Sequence, residues 1–241
     1  MKIAIKKNMR SVKRNHLAPF KWSFLNRSRD SYHVYYERGA AVILSHLAAK
    51  YGTDKGNLPS NGRNSHSYCE FYDSIFKNRR NWIETVLEFG IGSVNPLFKN
   101  NMGTNGKPGA SLRMWREYFG NAQIVGADID KDILFQEDRI RTFYVDQTNI
   151  DSLDSLAGKL SNVDVIIDDG LHTLEAGRKT FSSFFTNLKI GGTYVIEDVS
   201  WEYAEELLSS VEGKNRIVNF VRLESESISL LGNNNLIVIE K

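Results

Sequence analysis

Residues 167–172 read Ile-Asp-Asp-Gly-Leu-His, which places two adjacent carboxylates, a flexible glycine and an imidazole within six positions. Such a set can hold a hard divalent cation through oxygen and take a proton from a hydroxyl beside it. A second acidic pair, Glu197-Asp198, puts its last acid 29 positions after Asp169. In a parallel sheet that separation is one crossover, so two neighbouring strand ends would meet there. Asp169 and Asp198 are therefore candidate ligands for Mg²⁺ or a similar cation, and His172 is the candidate base. The plainer reading has Asp169 capping a helix from about 173 and His172 lying on the surface. His16, His33 and His46 have no comparable acidic neighbours.

The segment Glu88-Phe89-Gly90-Ile91-Gly92-Ser93 is a Gly-x-Gly turn after an apolar run. Glycines there let the backbone turn sharply and approach a ligand. The third glycine of the dinucleotide fingerprint is missing, since position 95 is Asn95. About 18 residues also intervene before the next helical stretch, which weakens a pyrophosphate site at a helix N-terminus. A nucleoside without phosphates fits better. Asp128 can then accept from ribose hydroxyls. Asp146 can meet an exocyclic adenine amine, and Glu88 can face the amino group of an amino-acid tail.

Seven short apolar runs would carry these residues: 82–89, 123–128, 141–146, 163–168, 193–198, 215–222 and 236–240. Helical periodicity predicts helices over 31–50, stopped near Gly52, and over 68–80, where Tyr68, Phe71, Tyr72, Ile75 and Phe76 share one face. Another is expected over 111–119, with Leu112, Trp115 and Phe119 on one face and Ser111 as N-cap, and two more over about 149–160 and 173–189. Alternating strands and helices imply a mostly parallel seven-stranded α/β sheet with helices on both faces. Glu88, Asp128, Asp146, Asp168 and Glu197-Asp198 all fall at strand ends, where such sheets bind ligands. Carboxylates crowded around one crevice need a cation or ligand donors to offset their repulsion. The expected organisation is a basic arm and N-terminal helical extension over 1–80, then a nucleoside-binding domain over 81–241.

The net charge of +2 hides an asymmetry: residues 1–30 hold nine Lys/Arg against Asp30, or +8, and the rest of the chain carries −6. The arm (Lys2, Lys6, Lys7, Arg10, Lys13, Arg14, Lys21, Arg27, Arg29) contains no secretory apolar core, so a cytoplasmic protein that keeps it is expected. It reads as a solvated or oligomer-contacting extension, or as a contact for an anionic acceptor. The acidic body argues against nucleic acid as a partner. No run of 18 apolar residues predicts a transmembrane helix. The lone Cys69 excludes an intramolecular disulfide and a cysteine-based zinc cluster. Aromatic faces on the two leading helices call for cover, and a homo-oligomer would supply it.

Between Tyr51 and Val199 the chain resembles the class I S-adenosylmethionine (SAM) methyltransferases that act on sugar hydroxyls in macrolide biosynthesis, of the mycinamicin and macrocin type. The matching pieces are Tyr51-Gly52-Thr53-Asp54-Lys55, His66, Tyr68, Tyr72, Glu88–Gly92, Gly109–Trp115, Asp146-Gln147, Ile167–His172 and Ile196-Glu197-Asp198. Leu171 stands where that family usually has a small residue. The resemblance implies a Rossmann-like fold that binds SAM and Mg²⁺, with a histidine base. It makes Asp169 and Asp198 metal ligands, with Glu197 as the third and Asp168 next in line, and His172 the base. It assigns Asp128 to the ribose, Asp146 with Gln147 to the adenine, and Gly90, Gly92, Glu88 and Asp168 to the cofactor. Tyr51, Thr53, Asp54, Lys55 and His66 would close over cofactor or acceptor. The acceptor would be a small molecule or glycan bearing a sugar hydroxyl. Rival readings are methylation of a phosphate-linked or amine group on a surface polysaccharide, an NAD-dependent oxidoreductase, and a SAM-binding protein without turnover.

Overall fold

The computed structural model describes residues 5–7, 32–34, 42–56, 66–98, 101–223 and 235–241. Most of the basic arm lies outside the described residues, as do His16 and positions 99–100 of the long loop. The chain divides into two compact units, Met1–Gly39 and Ala40–Lys241. In the first, β1 (Ile5–Lys7) pairs antiparallel with β2 (Tyr32–Val34). This corrects the expected helix over 31–50: Tyr32 and Val34 favour extended backbone, and the strand pairing satisfies their peptide groups. Helix α1 runs only over Ile43–Tyr51. It stops as anticipated at Gly52, whose φ of 83° suits a glycine and whose N–H returns to the Ala48 carbonyl.

Helix α2 (Tyr68–Phe76) buries Tyr68, Phe71, Tyr72 and Phe76. Its aromatic face is covered within the chain. Tyr72 meets Trp115 edge-on, and Phe76 meets Phe119 in the same way. That removes the share of the homo-oligomer expectation that rested on this helix; Tyr35 and Tyr36 of the other expected helix lie outside the described residues. Trp115 belongs to α3 (Ala110–Tyr118), which begins after Gly109 in the left-handed region. Ser111, expected as its N-cap, lies inside the helix and is buried; its hydroxyl bonds to Glu88 instead.

Eight strands form the second unit's sheet. They are β3 (Thr85–Phe89), β4 (Gln123–Asp128), β5 (Gln136–Glu137), β6 (Ile140–Tyr144), β7 (Val163–Asp168), β8 (Leu188–Ile196), β9 (Ile217–Arg222) and β10 (Asn235–Glu240). Their order is β5-β6-β4-β3-β7-β8-β10-β9. The five from β6 to β8 are parallel, and β10 runs antiparallel to both β8 and β9. The seven apolar runs are the seven long strands. The eighth, β5, is an exposed polar pair with no hydrophobic period to reveal it. Helices α4 (Ile150–Ala157), α5 (Leu174–Phe184) and α6 (Ala204–Val211) pack in a row, as α1, α2 and α3 do in another group. Asn149 caps α4 and Thr173 caps α5 through their side chains. Leu87, Phe89, Val125, Ile166, Tyr194 and Ile237 from the sheet meet Phe181, Phe184 and Leu207 in a continuous core. The strand order diverges at β3, with β4 on one side and β7 on the other, so a crevice opens at their carboxyl ends. No helix among the described residues is long and apolar enough to cross a membrane.

Candidate active site

Backbone bonds hold four strand tips together just beyond the sheet. Gly90 N–H donates to the Ala127 carbonyl at 2.9 Å, Asp169 N–H to Phe89 at 3.0 Å and Glu197 N–H to Asp168 at 2.9 Å. Gly90 has φ 79°, and a Cβ built there would sit 2.0 Å from the Asp169 carbonyl oxygen. Glycine is what lets the turn after β3 lie against the turn after β7. Asp128, at the tip of β4, reaches across this turn: Oδ2 accepts from Ile91 N–H at 2.8 Å and Oδ1 from Asp130 N–H at 2.9 Å. Burial raises its carboxyl above the usual range. A carboxylate offers about four acceptor sites, and Ile91, Asp130 and Ile129 take three, which leaves one for a ligand hydroxyl.

Lys55 lies on the short connection after α1, only 2% exposed, amid three acids from adjacent strand tips. Its ammonium donates to Glu197 Oε2 and to Asp169 Oδ2 at 2.6 Å, and it stands 3.3 Å from Glu88 Oε1. Trp115 Nε1 donates to Glu88 Oε2 at 3.0 Å, and the Tyr72 hydroxyl donates to Glu197 Oε1. Burial pushes Glu88 up to about 7, with Lys55 opposing it. Burial likewise raises Glu197 against the same ammonium. Burial works against the Asp169 charge too, but Lys55 and then His172 outweigh it, so that carboxyl titrates below its ordinary value.

Beside this cluster lie Asp169, His172 and Asp198, each offering one ligand atom within 4.8 Å of the others. His172 Nε2 stands 3.7 Å from Asp169 Oδ1 and 3.9 Å from Asp198 Oδ2. His172 and Asp198 both have φ 52°, a left-handed backbone that costs a non-glycine residue about 1–3 kcal/mol. The Tyr203 hydroxyl donates to the His172 carbonyl at 2.9 Å and helps to hold that conformation. The Tyr68 hydroxyl donates to Asp198 Oδ1, and His66, stacked on Tyr68 at 4.5 Å, brings Nδ1 to 3.6 Å from the same oxygen. Two carboxylates with free oxygen sites and an imidazole, all partly open to solvent, suit a hard divalent cation.

The remaining candidates are placed less centrally. Glu197 turns its carboxylate to Lys55 and Tyr72. Asp168 accepts from Gln147 Nε2 at 2.7 Å, while its Oδ2 is buried without a partner, and burial lifts its carboxyl to about 6. Gln147 also donates to Thr180 and accepts from Leu171 N–H, so its amide is spent on fixing the 168–171 turn. Asp146 accepts from its own neighbour Thr148. Tyr51 donates to Glu117 on the α3 side, and Thr53 is buried with its N–H on Ala48. Gly92, at φ 88°, packs against Met102. Sequence reasoning set Tyr68 and Tyr72 on one helix face and among the family-like pieces, but named neither of them, nor Tyr203, as a site residue. The i, i+4 spacing of the first two puts them on one helix face and was a usable signal; Tyr203 had none.

No family model matches the chain. Over 161 residues it is 36% identical to mycinamicin VI 2''-O-methyltransferase of Micromonospora griseorubida, and over 162 residues 36% identical to demethylmacrocin O-methyltransferase of Streptomyces fradiae. It is 33% identical over 160 residues to the 8-demethyl-8-alpha-L-rhamnosyl tetracenomycin-C 2'-O-methyltransferase of Streptomyces olivaceus. Each match takes in 66% of this chain. The chain spans a little over a third of the length of these curated relatives, 37–38%. The MycE methyltransferase of the mycinamycin biosynthetic pathway, solved with Mg, SAH and mycinamycin VI, superposes with a TM-score of 0.59 at 28% identity. That superposition covers 84% of this chain and 54% of MycE. The chain is a homologue of sugar O-methyltransferases. Its sheet and helices are the class I methyltransferase fold. In this methyltransferase homologue, Asp169, His172 and Asp198 meet at the carboxyl edge of the sheet, beside the glycine turn and Asp128.

Proposed function

We propose that the chain transfers a methyl group from SAM to a hydroxyl of a sugar-bearing small molecule or glycan, with a divalent cation and a histidine base. The observation that carries this reading is the meeting of Asp169, His172 and Asp198 next to the Gly90 turn, in a homologue of sugar O-methyltransferases. The glycine turn and Asp128 hold the nucleoside of the cofactor. Asp169 and Asp198, with Glu197 adjoining, hold the cation. A divalent cation bound there supplies positive charge that lowers the pKa of the acceptor hydroxyl. His172 Nε2 accepts the proton as the oxygen takes the methyl from the sulfonium, leaving a neutral thioether and a methyl ether. Aligning the reacting atoms supplies the larger share, up to roughly 7–11 kcal/mol, and the base adds about 10²–10⁴-fold.

Two experiments test this. Calorimetry with SAM, S-adenosylhomocysteine and NAD should show binding of the first two and none of the third; tight NAD binding alone would favour the oxidoreductase reading. Incubation of methyl-labelled SAM with rhamnosyl glycosides should move label into the glycoside. SAM binding without transfer to any sugar, phosphate-linked or amine acceptor would leave a binding protein.

A further inference from the structure

Around the three-residue cluster the carboxylate oxygens divide into two sets. Asp169 gives Oδ2 to Lys55 and turns Oδ1 toward His172. Asp198 gives Oδ1 to Tyr68 and turns Oδ2 toward the same imidazole. Each acid thus has one oxygen anchored and one facing the site. Both anchors come from the α1–α2 segment, outside the sheet that carries the acids. That segment is itself pinned: His66 N–H donates to the Asp54 carbonyl at 2.7 Å and Cys69 N–H to the Lys55 carbonyl at 3.0 Å. Neither Lys55 nor the Tyr68 ring is free to wander, since both are almost fully buried.

We propose that Lys55 and Tyr68 are positioning residues for the cation site. They take the outer oxygens of Asp169 and Asp198, so that the inner two converge beside His172 with a fixed spacing. Glu197 differs: Tyr72 and Lys55 take both of its oxygens, so it supports Lys55 rather than turning an oxygen toward His172. The inference rests on the methyl-transfer reading for its catalytic consequence, but not for its structural one. Partners of this kind typically change metal affinity or activity about 10–100-fold when removed. A misplacement of roughly 1 Å in a reacting assembly costs about 10²-fold.

The test uses the full chain and Mn²⁺ as the probe, followed by electron paramagnetic resonance. Tyr68→Phe, which removes one oxygen and leaves the ring, should weaken Mn²⁺ binding about 10–100-fold. Lys55→Met should alter the Mn²⁺ spectrum and lower kcat about 10²-fold. A far-UV circular dichroism spectrum matching wild type in both variants reports that the fold is intact; should Lys55→Met fail to fold, Tyr68→Phe carries the test. Wild-type Mn²⁺ affinity, spectrum and kcat in the folded variants would overturn the proposal, as would a wild-type protein that binds no Mn²⁺. Altered Mn²⁺ binding in variants of a protein that methylates no acceptor would sustain the positioning role and sink the methyl-transfer reading instead.

Discussion

His172 sits on a backbone that an ordinary residue avoids, with its Nε2 between two carboxylates and its carbonyl held by Tyr203. A surface histidine has no need of that strain. Replacing it with alanine removes the proposed proton acceptor and leaves Asp128 and the glycine turn untouched. His172→Ala should therefore lose about 10²–10⁴-fold in kcat while S-adenosylhomocysteine affinity by calorimetry stays at the wild-type value. Asp169→Asn keeps the shape but loses the charge that faces Lys55 and the proposed cation site. Its residual rate should no longer respond to added Mg²⁺, as a metal titration of the purified variant would show. The meeting of Asp169, His172 and Asp198 was legible because acids one crossover apart in a parallel sheet come to neighbouring strand ends. The contacts of Lys55 were not: an ammonium 114 positions from its partner Asp169 leaves no local pattern.

The elements were readable wherever burial imposes a period. The β7 run Val163–Asp168 is apolar enough to be a central parallel strand, and its bounds match the sequence expectation residue for residue. β5 and β2 escaped, the first because two exposed polar residues have no period, the second because its partner Ile5–Lys7 is remote in sequence. Gly90 is where element packing and chemistry meet. Gly90→Ala would place a methyl 2.0 Å from the Asp169 carbonyl and keep φ in the left-handed region. The tips of β3 and β7 must then part. A loss of about 2 kcal/mol or more in urea unfolding is expected, together with weakened S-adenosylhomocysteine binding. A variant as stable as wild type would show that the tips do not need this contact.

At the scale of the whole chain, the sheet buries more carboxylate than it can compensate. Glu88 is completely buried and titrates near 7 in the folded protein, against an ordinary value of 4.5. The folded state therefore keeps a proton that the unfolded chain has already released. Folding stability relative to Glu88→Gln should fall as pH rises from about 4.5 to 7 and then level off, by roughly 3 kcal/mol at most. Asp168, raised to about 6, adds a penalty of the same sign in a slightly more acidic window. Urea unfolding across that range, wild type against variant, reads the difference directly. A difference that does not change with pH would mean that Glu88 ionises as an ordinary acid.

Whether a cation at the tips of β7 and β8, beside the glycine turn, drives methyl transfer is decided in one assay. Transfer of labelled methyl from SAM to a rhamnosyl glycoside is followed after EDTA treatment and again after Mg²⁺ is restored. Transfer should stop with EDTA and return with Mg²⁺. A rate unaffected by EDTA would contradict the cation's role.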